Sequence, residues 1–176
     1  MQRTLVFLLL GALAPTIQAQ STWYVDVNST PPGDGSPGWP YSSIQYAIDQ
    51  ATTIEKDILS IAPGSYDENL TLVGKALHLL GEQGADVTIS NGGGRGPCLT
   101  LSGGGGDIRV EGLTFTRGSG TATAFGMAGG AVYADASYVL FSDCVFDRNS
   151  CIAAGGSGHG GGIYAQNGGR LTLSAC

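Results

Sequence analysis

Charged side chains are scarce in this chain: they make up 12% of its 176 residues, about half of what globular proteins usually carry. Eight residues are Lys or Arg against 14 Asp or Glu, so the formal net charge is −6. Nucleic-acid binding needs basic side chains that displace counterions from phosphate, so we expect no nucleic-acid partner. Hydrophobic residues nevertheless reach 42%, which excludes a disordered polar chain.

Proline is also sparse, at 7 residues, whereas glycine is abundant, at 30. The glycines do not recur at every third position, which excludes a collagen triple helix. The chain length predicts one domain. A glycine-rich, hydrophobic and weakly charged chain is therefore expected to fold, with glycine serving the turns.

A long apolar run is absent except near the N-terminus. After the cationic start at Arg3, the stretch Leu5–Ala14 is apolar or Gly throughout, and Pro15 ends it before the small residue Ala19. A membrane-spanning helix needs about 20 such residues, so we predict a cleaved signal peptide over residues 1–19. A buried helix is the alternative. The signal peptide predicts an exported protein, extracellular or at the cell surface, with no transmembrane segment in the mature chain.

Residues 20–57 contain a predicted strand, a loop and a helix. Trp23–Val27 alternates apolar and polar residues, as a strand does, and residues 28–40 are rich in turn formers. Ser42 and Gln45 form a capping-box pattern, which predicts an amphipathic helix from Ser42 to about Thr53. The residues of its apolar stripe, at helical spacing, are Ile44, Ala47, Ile48 and Ala51.

Residues 58–176 instead show a period of two, typical of strands, together with a longer repeat whose length of about 31 residues lies in the range of solenoid proteins. The segment 107–118 aligns with 138–149, and Gly129–Ala134 returns as Gly160–Ala165. Apolar residues fall at equivalent positions in each copy, which predicts that they stack in columns inside a solenoid. The predicted inward residues are Leu77, Leu79, Val87, Ile89, Leu101, Ile108, Val110, Leu113, Phe115, Val132, Val139, Phe141, Cys144, Phe146, Ile163, Leu171 and Leu173.

The opening of the mature chain carries specific motifs. These are Trp23–Asp26, Gly33–Ser36, Pro40–Gln45, Ala62–Tyr66 and Glu68–Leu70. They resemble the start of exported proteins of the pectate-lyase-like superfamily, which fold as right-handed parallel β-helices. The resemblance implies an all-β solenoid of about four coils over residues 58–176, with the amphipathic helix as its N-terminal cap. An uncovered first coil would expose strand edges and apolar side chains.

The later repeats add a second resemblance. Gly129–Tyr133 and Phe146–Asn149 are similar to the GGA(I/V) and FxxN repeats of polymorphic outer-membrane proteins, whose passenger domains lie at the cell surface. The similarity implies an exported, non-catalytic binding, adhesion or structural module whose partner is a carbohydrate or a surface protein. The repeat is interrupted at Cys176, which predicts a chain continuing beyond this residue. The alternative is a polysaccharide lyase or glycoside hydrolase whose active site is missing or lies further on.

The Gly-His-Gly sequence at His159 resembles a motif of polygalacturonases and makes this histidine a candidate catalytic residue. Those enzymes need paired aspartates as well, and the nearest acidic residues are Asp135, Asp143 and Asp147, the last followed by Arg148. Their spacing builds no carboxylate column between copies. We therefore assign no catalytic, cofactor-binding or metal-binding residue and expect no cofactor.

Three other features have structural interpretations. Cys144 and Cys176 fall in one column, so they form either a disulfide or part of a ladder of reduced, apolar cysteines. Asn149 aligns with Gly118, which predicts a left-handed backbone at Asn149. The N-terminal aromatics are interpreted as anchors of the loop and helix, with stacking on sugar rings as the alternative. They are Trp23, Trp39, Tyr41 and Tyr46.

Overall fold

The computed structural model describes residues 20–51, 56–104, 106–124, 126–153 and 156–176. The predicted signal peptide lies outside these ranges. The described residues form 17 strands and one helix: β1 (Thr22–Val25), α1 (Ile44–Gln50), β2 (Ile58–Ile61), β3 (Gly64–Tyr66), β4 (Leu70–Val73), β5 (His78–Gly81), β6 (Thr88–Asn91), β7 (Leu99–Ser102), β8 (Asp107–Glu111), β9 (Thr114–Thr116), β10 (Thr121–Thr123), β11 (Gly126–Ala128), β12 (Val132–Asp135), β13 (Tyr138–Ser142), β14 (Val145–Asp147), β15 (Gly158–His159), β16 (Ile163–Gln166) and β17 (Arg170–Ser174).

Three parallel sheets account for most of the strands. Sheet 1 has the order β1-β2-β5-β8-β13-β17, sheet 2 has β3-β6-β9-β14, and sheet 3 has β4-β7-β12-β16. From β2 onward the chain visits the three sheets in rotation, and a small fourth sheet, β10-β11-β15, interrupts this order. Within that fourth sheet, β10 and β11 pair in antiparallel fashion. The predicted all-β class, with parallel strands and one helix, is thus confirmed.

The strand register confirms the predicted stacking of the later repeats. In sheet 1, Phe141 pairs with Val110 on one side and with Leu173 on the other. Leu79 pairs with Val110 and with Leu59. These residues form one column, and all of them except Leu173 belong to a common buried hydrophobic core. The repeat therefore reflects strands that lie next to one another in the sheet.

The predicted inward positions are wrong in β6. Thr88 and Ser90 are fully buried, whereas Val87 is 41% exposed and Ile89 is half-buried. Because side chains alternate between the two faces of a strand, the polar pair occupies the inner face and displaces Val87 and Ile89 from it. Ser90 pairs with Phe115 of β9, a shorter separation in sequence than that of the later repeats, so the long repeat does not apply here.

Helix α1 begins two residues later than predicted, at Ile44, and ends at Gln50, while the predicted end at Thr53 lies outside the described residues. Its N-cap is Ser43, whose side chain accepts a hydrogen bond from the Tyr46 amide, so the capping box at Ser42 is wrong. The apolar stripe is confirmed, because Ile44, Ala47 and Ile48 are buried in the same core as the strands. The helix contacts β1, β2 and β4 and thus covers the beginning of sheets 1 and 3.

Glycine permits a close approach between successive passes of the chain. A Cβ atom on Gly81 would overlap the carbonyl oxygen of Gly112, and Gly112 itself has a φ of 66°. These two glycines, aligned by the repeat, lie where the chain leaves sheet 1 for sheet 2. A larger residue at position 81 would therefore push the two passes apart.

Candidate functional site

A trough of about 510 Å³ on the outer face of sheet 1 is the candidate site. The first of its two rows of outward side chains consists of Asp107, Tyr138 and Arg170, paired across β8, β13 and β17. The second row consists of His78, Arg109, Leu140 and Thr172. Gln20 and Lys56 lie near the first row, and Leu77, Ile108 and Val139 complete the lining.

The trough and the core both result from side chains that alternate between the two faces of each strand. Ile108 and Val139 are buried on the inner face, so their neighbours on β8 and β13 must point outward. Parallel pairing then places these outward residues about 4.8 Å apart from strand to strand. A row across four strands is therefore about 14 Å long. This geometry offers repeated contacts to an extended ligand.

The trough is more basic than the chain as a whole. Lys56, Arg109 and Arg170 line it, and Asp107 is the one carboxylate among the described lining residues. Lys56 Nζ lies 3.3 Å from Asp107 Oδ2, and Arg109 is 2.7 Å from Oε2 of the neighbouring Glu111. Within the described parts of the chain, no carboxylate lies within ion-pairing distance of Arg170.

Tyr138 is the aromatic residue of the trough. Its side chain stands on the outer face of β13 and is 49% exposed. Tyr138 pairs in register with Arg170 on the adjacent strand, and Leu140 lies two positions further along β13 on the same face. Aromatic and aliphatic surface beside a guanidinium provides both stacking and charge-assisted hydrogen bonds.

His78 occupies the second row at the β5 side of the trough. Its Nε2 lies 3.4 Å from Glu111 Oε2, yet this buried nitrogen makes no hydrogen bond within the described part of the chain. Burial, and next the charge of Arg109, lower the pKa of His78 below its ordinary value, while Glu111 opposes the shift. The imidazole is thus held in its neutral form near pH 7.

The residues considered as a catalytic histidine with nearby aspartates make separate contacts in the structure. His159 lies in β15 opposite Ala128, with its ring 6.1 Å from that of Tyr164. Asp135 accepts a hydrogen bond from Asn167 at 2.6 Å, and Asp147 pairs with Arg148 at 2.9 Å. Over the described ranges, no three His, Cys, Asp or Glu residues are grouped as metal ligands would be.

The four cysteines are free thiols. Cys144 donates to the Val110 carbonyl and Cys176 to that of Phe141, and these two acceptors are paired residues of one column. The two thiols therefore occupy equivalent positions, as the repeat predicts, but as reduced cysteines. Burial raises the pKa of Cys144 to about 11, so its reactive thiolate form is disfavoured.

Asn149 does not have the left-handed backbone predicted for it. That conformation belongs to Arg117 and Arg148, at φ 57° and 51°. The Asn149 side chain instead bridges two passes of the chain: it accepts from the Gly118 amide and donates to the Phe115 carbonyl, both at 2.8 Å. The repeat aligned the right position but indicated the wrong role, because Asn serves both left-handed turns and side-chain bonds to the backbone.

The N-terminal aromatic residues include true anchors. The rings of Trp23 and Tyr41 stack with centroids 6.1 Å apart, and Trp23 Nε1 donates to Asp57 Oδ2 at 3.0 Å. Tyr41 is buried in the core and meets the edge of the Tyr46 ring. These contacts fasten the loop and α1 to the strands, as predicted. Trp39 remains about half exposed.

The trough has no local signature in the sequence. Its charged residues stand far apart along the chain, and only their strand register brings Asp107, Tyr138 and Arg170 into one row. The available signal was the alignment of the repeats, in which these residues occupy matching outward positions. Alignment of the polar positions of the repeat, in addition to the apolar ones, would have predicted which residues line the trough.

Comparison with known proteins assigns no family. No family model matches the chain, and no curated protein matches its sequence. The described part of the chain contains no apolar helix of membrane-spanning length. The chemistry of the trough is therefore the main basis for a functional assignment.

Proposed function

We propose that this chain is an exported, non-catalytic module with the right-handed parallel β-helix fold of the pectate-lyase-like superfamily, and that it binds an extended anionic carbohydrate along the trough. The fold proposal is supported by the rotation of the chain through sheets 1, 2 and 3 with parallel pairing in each. The motifs that resemble that superfamily and the passengers of polymorphic outer-membrane proteins support export to the cell surface.

The observation that carries the binding proposal is the row formed by Tyr138 and Arg170. Arg170 presents a guanidinium without a protein carboxylate among the described residues, directly beside an exposed aromatic ring. The ring offers a face for a sugar, and the guanidinium can bind a carboxylate or sulfate with two parallel hydrogen bonds. Such a pair favours an acidic sugar chain over a neutral one.

The lining favours binding over hydrolysis. Glycoside hydrolysis ordinarily uses two carboxyl groups that flank the scissile bond. Among the described lining residues, Asp107 is the only carboxylate, and Lys56 is already within 3.3 Å of it. A ligand lying across β8, β13 and β17 would thus meet cations and an aromatic ring, and no acid–base pair in the described lining.

Calorimetry with sulfated and neutral hexasaccharides tests the binding proposal. We expect the sulfated chain to bind and Arg170→Gln to weaken it at least about tenfold, because a hydrogen bond to a charged group contributes about 1.5–3 kcal/mol. Tyr138→Ala should also weaken it. Arg148→Gln is the matched control, since Arg148 is exposed and already paired with Asp147.

Four results would contradict the proposal. Equal affinity for the neutral hexasaccharide, or an equal loss in Arg148→Gln, would exclude recognition by Arg170. Products released from an acidic polysaccharide would support the lyase or hydrolase instead. Binding of a surface protein that is insensitive to Arg170→Gln would move the interaction to another face.

Export is tested separately by expression of the whole sequence in a secreting host. We expect the protein outside the cytoplasm with Gln20 as its first residue, because the predicted signal peptide ends at Ala19. N-terminal sequencing of the exported material provides the measurement. Intact Met1 on a protein retained in the cytoplasm would contradict export.

A further inference from the structure

His78 is the titratable group of the trough that is placed to change charge near neutral pH. It belongs to the second row, where it pairs in register with Arg109. Its Nε2 is buried and without a hydrogen bond in the described structure, although Glu111 Oε2 is only 3.4 Å away. If this nitrogen gains a proton, it can donate a hydrogen bond to Glu111 Oε2.

The charges around His78 come from both neighbouring strands. On β8, Arg109 and Glu111 flank it and pair with each other at 2.7 Å. On the other side, the chain entering β2 carries Lys56 and Asp57. Asp57 accepts hydrogen bonds from the Ser21 amide and the Trp23 indole. Lys56 forms an ion pair with Asp107. Glu111 is therefore the carboxylate nearest to the imidazole nitrogen.

We propose that protonation of His78 strengthens the binding of an anionic chain in the trough, so that the module binds more tightly in acid than at neutral pH. This inference rests on the proposed function of the same trough. No covalent step is involved: a proton from solvent binds His78 Nε2, and the trough gains one positive charge.

Glu111 transmits the change. When His78 is neutral, Glu111 Oε2 forms an ion pair with the Arg109 guanidinium. An imidazolium at 3.4 Å would compete for that oxygen, which frees the Arg109 guanidinium to face the ligand. Both the added charge and the released guanidinium act on the second row, beside Leu140 and Thr172. Either effect raises the affinity for an anionic ligand, whereas neither raises the affinity for a neutral ligand.

The linkage has a definite sign. Without ligand, burial and Arg109 lower the pKa of His78. The folded protein therefore loses stability as the pH falls below the ordinary value of about 6.5. An anion bound in the trough favours the imidazolium and raises the pKa again. Since ligand and proton each favour the other, affinity must rise as the pH falls through the His78 titration.

Affinity for a sulfated hexasaccharide, measured from about pH 7.5 to about pH 5, tests the inference, because histidine titrates in this range while sulfate keeps its charge. We expect at least about a fivefold rise for the unaltered chain, within the usual range of such couplings. His78→Gln should show no rise in affinity over this range, whatever its own affinity at neutral pH. His159→Gln is the matched control, because His159 is the other of the two histidines, and it should keep the full pH dependence.

NMR titration of the His78 ring provides a readout without ligand. Its midpoint should lie below about 6.5, the ordinary value, in the free chain and rise when the sulfated hexasaccharide is added. A rise in affinity that persists in His78→Gln, or a free midpoint at or above the ordinary value, would overturn the inference while leaving the trough as a binding site. Absence of binding at every pH would overturn the proposed function and this inference together.

Discussion

One column of sheet 1 contains two leucines that are buried to different extents. Leu59 lies in β2, between β1 and β5, and is fully buried, whereas Leu173, in the last strand of the sheet, is 51% exposed. Both are leucines on the inner face of a strand, so residue type does not explain the contrast. An apolar residue in a stack is buried by the layers on both sides of it, and within the described structure only Leu59 has both.

The covered end is held by contacts that the other end does not repeat among the described residues. Glu68 accepts hydrogen bonds at the start of α1, from Ser43 Oγ and from the Ile44 and Gln45 amides. Lys75 donates to the carbonyls at the end of the helix, those of Ile48, Asp49 and Ala51. Glu68 and Lys75 flank β4 and thus clamp both helix ends to the first strand of sheet 3.

Gln45 covers a strand edge that would otherwise stay unpaired. Its side-chain amide accepts from the Thr71 amide at 2.7 Å and donates to the Thr71 carbonyl at 3.1 Å. It therefore imitates a neighbouring strand at Thr71 of β4, an edge strand of sheet 3. Unpaired edges are sites of unwanted association, and one glutamine satisfies the Thr71 backbone at this edge.

Truncation of these two leucines should give the largest contrast. Leu59→Ala is expected to cost about 2–5 kcal/mol of unfolding free energy, because it leaves a cavity in a closed core. Leu173→Ala should cost less than about 1 kcal/mol, since half of its side chain already meets water and little hydrophobic transfer energy is lost. Urea unfolding of both variants measures the difference, and equal losses would contradict the stronger burial of Leu59 between β1 and β5.

The helix clamp at Glu68 should have an intermediate effect. Glu68→Gln removes the charge that complements the helix N-terminus and some of its hydrogen-bond acceptors, for an expected loss of about 1–3 kcal/mol. Asp67→Asn is the control, because Asp67 is exposed and bonds only the Asn91 side chain among the described contacts. A loss no larger in Glu68→Gln than in Asp67→Asn would contradict the clamp.

Comparison of two lysines should give the smallest effect. Lys75→Met leaves three carbonyls at the helix end without their donor and is expected to cost about 1 kcal/mol. Lys56→Met breaks an exposed pair with Asp107, which should change stability by less than about 0.5 kcal/mol. Thermal unfolding at low and high salt distinguishes them, and a Lys56 effect that exceeds the Lys75 effect would reverse the assigned roles.

The pairing of the later strands could be predicted from the sequence because paired residues are separated by a nearly constant number of residues. Val132 pairs with Ile163, its counterpart in the next copy, so simple alignment found the column. The earlier paired residues are closer in sequence, as Leu59 and Leu79 show. In this part of the chain, hydrophobicity alone led to the wrong inward position for Val87. A buried Thr88 is not recognisable from composition, because its inward position is set by the strands on either side.

The helix start and the trough depend on residues that are distant in sequence. Ser42 and Ser43 are equally suited to an N-cap by type, and Glu68, which accepts from Ser43 Oγ, selects the second. In the trough, Tyr138 and Arg170 belong to different copies of the repeat and meet only through parallel pairing. Local sequence patterns predict each helix or strand, but they do not predict these contacts between different elements.

Interstrand NMR contacts of β13 test the parallel stacking most directly. Stacking predicts backbone NOEs that link Leu140 to Arg109 and to Thr172, its register partners in β8 and β17, with the same direction in all three strands. Strong Hα–Hα NOEs, which antiparallel pairing brings about, or contacts of β13 with β14 as a hairpin would contradict it.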